Sequence, residues 1–273
     1  MADRQTTLVT GVPRSGSTLL IKTIAENSVD TLVLDEPGWL KKIRQTSEPH
    51  ATADALNDHL AVLRNQVSRQ KPIELTYGLD GQEIADNHFK RTAEGIQRTK
   101  TAELITPEPH WSEIHWFIKS NIYFTAVLDQ LLESCYFQII ATVRNPVAVL
   151  KSWRSLDVSV SKGRSLMAEK FDPQLAHLGG VSDRLHRQVL LLDWMYKKYL
   201  NKSGVDVVKY ESFVEQPNIL NSMIEGCHIP AELKFSSQNN SDHYDHSETE
   251  AIIGCLEKYG QYYKYFYPEP AVI

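Results

Sequence analysis

The sequence predicts an α/β fold: a P-loop-type parallel β-sheet flanked by helices, with all of residues 1–273 in a single domain. Three observations carry that expectation. Short β-branched, apolar runs alternate with stretches of helical periodicity, the order that builds a parallel sheet. The run Tyr136-Phe137-Gln138-Ile139-Ile140-Ala141-Thr142-Val143 is nearly all apolar or β-branched, as a strand buried on both faces requires. Near the N-terminus, a strand, a glycine turn and a helix follow one another directly, from Leu8 through Gly11 and Gly16 to Leu20 and Ile24.

Residues 7–12 read as the first strand and 17–27 as the helix behind the loop. That order aims unpaired backbone N–H groups and a helix N-terminus at one spot, which favours an anion. Thr31-Leu32-Val33-Leu34 is a second strand, and it ends in Asp35-Glu36-Pro37-Gly38-Trp39. Ligands in such sheets sit at the carboxyl ends of strands, so Glu36 shares a rim with Arg14. From 51 to about 134 the pattern is mostly helical. Ala51 to Gln70 carries Ala55, Leu56, Leu60 and Leu63 at near-helical spacing, and Gly78 and Gly81 break the pattern. A polar helix is expected over about 83–97, and a short strand over Glu103–Thr106, stopped by Pro107 and Pro109. Ser112 to Ser134 reads as one long helix with Trp116, Phe117, Ile122, Phe124, Leu128 and Leu131.

The central strand at 136–143 runs into Arg144-Asn145-Pro146, and Pro146 suits the first turn of a helix. Ser152 lies a little over two turns along that helix, so it can converge with Arg144 on one dianion. Residues 157–180 read as a loop, Ser182–Leu200 as an amphipathic helix and Val205–Tyr210 as a strand. A polar loop over 235–247 and a helix over Glu248–Gln261 follow. The aromatic tail Tyr262–Pro268 packs on the body and receives no role.

Composition narrows the function. Net charge is −5, from 29 basic and 34 acidic residues, which argues against nucleic acid or an anionic membrane as partner. No stretch reaches the roughly 18 apolar residues of a membrane span, and the opening Met1-Ala2-Asp3-Arg4 does not read as a signal peptide. Cys135, Cys227 and Cys255 lack metal-ligand spacing and read as reduced packing residues of a cytoplasmic protein.

The loop Gly11 to Thr18 nearly fits G-x-x-x-x-G-K-[ST], but Ser17 stands where a nucleoside-triphosphate loop has its lysine. The loop's cation is Arg14. The pattern P-R-S-G-S-T-L-L resembles the 5′-phosphosulfate loop of sulfotransferases that use 3′-phosphoadenosine 5′-phosphosulfate (PAPS). The run from Val143 to Arg154 resembles that family's 3′-phosphate segment, R-[DN]-P-x-x-x-x-x-S. Lys209-Tyr210-Glu211-Ser212 resembles a third segment, in which Tyr210 and Glu211 read as structural anchors.

The resemblance implies a sulfotransferase fold, PAPS as sulfo donor and no metal. It implies cofactor binding by Arg14, Ser15, Gly16, Ser17, Thr18, Arg144 and Ser152. The family's carboxylate base falls on Glu36, with Asp35 as its neighbour and competitor. His110 and His115 are the histidine alternative, and Lys100 is the candidate to assist the bridging oxygen. Regions 40–135 and 155–180 are expected to bind the acceptor, with Trp39, Trp111, Trp116, Glu108 and Glu113 as an aromatic, mildly acidic wall. The partner is then a small-molecule hydroxyl or amine acceptor, a metabolite or natural product, and the enzyme a monomer or homodimer. Two alternatives stand: a P-loop kinase or NTPase acting on a small metabolite, and a non-catalytic nucleotide-binding protein.

Overall fold

A computed structural model of the chain describes residues 6–46, 48–78, 89–92, 95–98, 100–240 and 245–269. It begins with β1 (Thr6–Gly11), α1 (Ser17–Asn27), β2 (Thr31–Asp35), α2 (Trp39–Thr46) and α3 (Thr52–Ser68). Strands β3 (Ile73–Gly78), β4 (Phe89–Thr92), β5 (Gly95–Arg98) and β6 (Lys100–Ile105) follow, then β7 (His115–Lys119). Next come α4 (Asn121–Ala126), α5 (Leu128–Ser134), β8 (Gln138–Val143), α6 (Pro146–Arg154), α7 (Leu166–Phe171) and α8 (Arg184–Tyr199). The last elements are β9 (Val205–Lys209), α9 (Tyr210–Glu215) and α10 (Thr249–Tyr259).

Five strands form a parallel sheet in the order β2-β7-β1-β8-β9. Successive side chains of a strand point to opposite faces, so each central strand must be apolar on both. Leu8, Ile118 and Ile139 pack into the larger core with α3, α4, α5, α6 and α8. Val9, Phe117 and Ile140 pack on the other face against Leu20, Ile21 and Ile24 of α1 and Phe213 and Val214 of α9. The result is three layers with β1 in the middle of the sheet.

The boundaries of β1, α1, β2, α3, α8 and β9 fall within about two residues of their expected positions. The stretch 112–134 does not form one helix. Its first part is β7, inserted between β1 and β2, and only then do the short helices α4 and α5 begin. The polar helix expected over about 83–97 is also absent from the described part of that stretch, where β4 and β5 pair as an antiparallel hairpin; 79–88, 93 and 94 lie outside the described residues. The short strand near 103 extends to β6 and pairs antiparallel with β3, apart from the main sheet. The 157–180 loop contains α7 and two 3₁₀ turns. Cys227 is buried as expected, but Cys135 is exposed in a left-handed turn. Among the described residues, no helix is long and apolar enough to cross a membrane.

Candidate functional site

Gly11 ends β1 with φ +148°, and a Cβ there would lie 2.2 Å from Thr142 Oγ1 and 2.5 Å from the Thr142 carbonyl. The bare backbone therefore lets β1 and β8 close at their tips, where the Val12 N–H donates to Thr142 O at 2.9 Å. Gly16 adopts φ +83° directly before α1, and a Cβ there would meet the Tyr210 ring at 2.6 Å. The loop between them turns back on itself. Ser15 N–H donates to Val12 O at 3.0 Å, and the buried Ser15 hydroxyl lies against Val12 O and Thr142. Ser15 thus shapes the loop, its N–H already used. The N–H groups of Ser17 and Thr18 belong to the first turn of α1, where no helical carbonyl precedes them.

Arg14 lies within this loop in the left-handed region, φ +76°. Its Nε donates to Ser152 Oγ at 3.1 Å, and Trp153 Nε1 donates to Pro13 O at 2.9 Å, so α6 crosses the loop at its distal end. At its proximal end α6 is capped by Asn145 Oδ1, which accepts from Val147 and Ala148 N–H, with Pro146 at the first position. This is why Arg-Asn-Pro makes so sharp a corner after β8. The corner delivers Arg144, 4% exposed, to the same place. Its Nη1 donates to the Arg14 carbonyl at 2.9 Å, its Nε to Asn239 Oδ1 at 2.7 Å, and its guanidinium lies 4.4 Å over the Tyr210 ring. Arg144 Nη2 is buried with no hydrogen-bond partner among the described residues. Leaving such a donor unsatisfied costs about 1–3 kcal/mol, more on a charged group, so the site is built for a further acceptor.

On the other side of β1, Lys119 ends β7 beside Asp35 of β2. Its Nζ lies 3.0 Å from Asp35 Oδ1 and 3.6 Å from Glu36 Oε1. Lys119 and Asp35 are buried, whereas the Glu36 side chain is 43% exposed. Burial disfavours charge on Lys119, but Asp35 and Glu36 outweigh it and raise its pKa above the ordinary lysine value. Glu36 also has φ +47°, strained for a residue with a β-carbon, and its N–H donates to Lys119 O at 3.0 Å. The site thus has two flanks around the Gly11–Gly16 loop: Lys119, Asp35 and Glu36 on one, Arg144 and Ser152 on the other.

Residues 7–232 match the model of the sulfotransferase family. The chain belongs to the sulfotransferase family. A search of curated proteins finds no match.

In this sulfotransferase, Arg14, Gly16, Ser17, Thr18, Arg144, Ser152 and Glu36 converge on one rim. His115 lies at the amino end of β7, roughly 13 Å from that rim by strand rise, with Nε2 2.8 Å from Thr7 Oγ1. His110 sits in the turn leading into that same end, exposed and 3.3 Å from Glu108. Neither histidine joins the cluster. The expected aromatic wall also dissolves. Trp116 is fully buried, its Nε1 donating to Trp111 O, and Ser112 and Ile114 are held by Arg64. Only Trp39 of that set starts an element at the rim, following the Glu36 turn. Lys100 opens β6, and its side chain falls outside the described residues. Lys119 was not singled out by sequence because a lysine inside an apparent helix carries no rim position.

Proposed function

We propose that the chain transfers a sulfo group from PAPS to the hydroxyl, or amine, of a small-molecule acceptor by in-line displacement. The observation that carries this reading is the buried Nη2 of Arg144, which has no hydrogen-bond partner among the described residues and stands beside the Arg14 carbonyl at the head of the helix that carries Ser152. Two anion cradles so close together fit a nucleotide with phosphate on both sides of its ribose. PAPS, when bound, supplies a sulfo group activated on a phosphate leaving group.

The chain's own residues then have separable tasks. The Gly16, Ser17 and Thr18 N–H groups and the Arg14 guanidinium offer donors to the phosphosulfate end. Arg144 and Ser152 hold the 3′-phosphate, and Gly11 allows the strand tips to close beneath both. Lys119 brings a fixed ammonium to the tip next to β1, kept charged by Asp35 and Glu36. Glu36, the exposed carboxylate of the pair, takes the acceptor's proton, while Asp35 remains the internal counter-ion. A sulfuryl group leaving through a loose transition state asks for this arrangement of positioning and fixed charge.

Two measurements test the reading. Calorimetry should show adenosine 3′,5′-bisphosphate binding more tightly than ATP with magnesium; the reverse order would favour an NTPase. Incubation with PAPS and a metabolite extract should give products heavier by one sulfo group. Arg14→Ala should lower their formation by about 10²–10³-fold, the usual cost of one lost charge-stabilising donor.

A further inference from the structure

The family match ends at residue 232, yet two of the groups that orient Arg144 lie beyond it. A guanidinium carries only donors, so whatever fixes Arg144 Nε must be an acceptor. That acceptor is Asn239 Oδ1, on a residue 6% exposed. With Oδ1 committed, Asn239 must donate through Nδ2, and it does so to Glu211 Oε1 at 2.9 Å. The same carboxylate oxygen accepts the Asn145 N–H at 2.9 Å, at the corner that carries Arg144. The second oxygen, Oε2, accepts from the Tyr267 hydroxyl at 2.6 Å.

The donors converge on Glu211 from both ends: Arg144 donates to Asn239 and Asn239 to the carboxylate on one side, and Tyr267 of the C-terminal tail donates to it on the other. The tail itself is pinned. Asp193 accepts the N–H groups of Gln261, Tyr262 and Tyr263, and Lys209 Nζ donates to Phe266 O at 2.7 Å. Tyr196 packs its ring against Phe266 and Tyr267 and donates its hydroxyl to the Arg144 carbonyl. An acidic residue in the first turn of α9 would ordinarily serve that helix's dipole. Glu211 instead turns its oxygens to Asn145, Asn239 and Tyr267.

We propose that Glu211, Asn239 and Tyr267 are positioning residues that aim Arg144 Nη2 at the nucleotide's 3′-phosphate, so that the aromatic tail sets selectivity for a 3′-phosphorylated ligand. This rests on the nucleotide reading above. Burial, with Tyr196 and Glu211 adding to it, raises the Tyr267 pKa, so its hydroxyl stays a donor across the working range. Asn239→Asp would set a carboxylate against Glu211 and give Arg144 a counter-ion that competes with phosphate. Tyr267→Phe removes a single donor and keeps the ring against Tyr196.

The test is calorimetric titration of the full chain with adenosine 3′,5′-bisphosphate and with adenosine 5′-monophosphate. The unmodified protein should prefer the bisphosphate. Tyr267→Phe and Asn239→Asp should each reduce that preference by about tenfold or more, with 5′-monophosphate affinity unchanged. Arg144→Ala should abolish the preference. Variants that keep the full preference, or lose affinity for both nucleotides equally, overturn the positioning role. An unmodified protein with no preference overturns the nucleotide reading beneath it.

Discussion

Asp35 and Glu36 are adjacent in sequence and opposite in environment, and the difference assigns their tasks. Asp35 lies within a buried pair, 3.0 Å from Lys119 Nζ, while Glu36 reaches the same ammonium from an exposed position at 3.6 Å. Removing one partner of a buried pair strands the other charge, so Asp35→Asn should destabilise by about 3–5 kcal/mol in denaturant titration. Glu36→Gln should leave stability nearly unchanged but cut the turnover number by about 10²–10⁴-fold, the contribution of a general base. A larger stability loss from Glu36→Gln than from Asp35→Asn would reverse the assignment. The pair also has an alkaline signature. The Lys119 pKa is raised above 10.5 in the fold, so its contribution is complete below that pH. It is lost as pH climbs through the higher folded value.

Among elements, the loop between β1 and α1 depends on two backbone positions that no side chain can share. Gly11→Ala would drive a methyl to within 2.2 Å of Thr142 Oγ1 and 2.5 Å of its carbonyl, separating β1 from β8 at the tip. It should lower both the melting temperature and nucleotide affinity. Gly180→Ala, where an added Cβ meets nothing within 4 Å, is the matched control and should change neither. Such punctuated elements are legible in sequence: glycines mark the loop, and Asn145-Pro146 marks the corner before α6. β7 was not. Trp116, Phe117 and Ile118 precede Ile122, Phe124, Leu128 and Leu131 with no glycine or proline between, so the apolar positions read as one helix. Only the flanking strands β1 and β2 show why three consecutive residues are buried on alternating faces. With β7 hidden, Lys119 had no rim to stand on. Asn239 was equally invisible, since it meets Arg144 across 95 residues of chain and no local pattern records that contact.

For the molecule as a whole, the titratable groups away from the rim set an order of events on acidification. His115, stacked on Phe117 at 4.5 Å, has its pKa lowered by burial and then by Arg64, against a smaller upward pull from Glu225. His59, its ring 4.6 Å from Trp39, is lowered by burial and by Lys42. A lowered histidine pKa means the fold favours the neutral ring. That contribution is complete above the ordinary 6.5 and is lost as pH falls through the folded values below it. Asp129 and Asp172 respond later. Burial alone would raise them, but Lys198 bridges both, at 2.9 and 3.0 Å, and Lys202 reaches Asp129 at 2.7 Å. The two lysines at Asp129, and the Trp194 Nε1–H donor together with Lys198 at Asp172, prevail and hold both carboxylates below 3.8, so their contribution is present above that pH and disappears beneath it. Melting temperature followed from about pH 8 to about pH 3 should therefore fall in two stages, one below about 6.5 and one below about 4. The double variant His59→Gln with His115→Gln should flatten the first stage and leave the second where it was. A wild-type protein that holds its melting temperature down to about pH 4 would show that neither histidine is kept neutral by the fold.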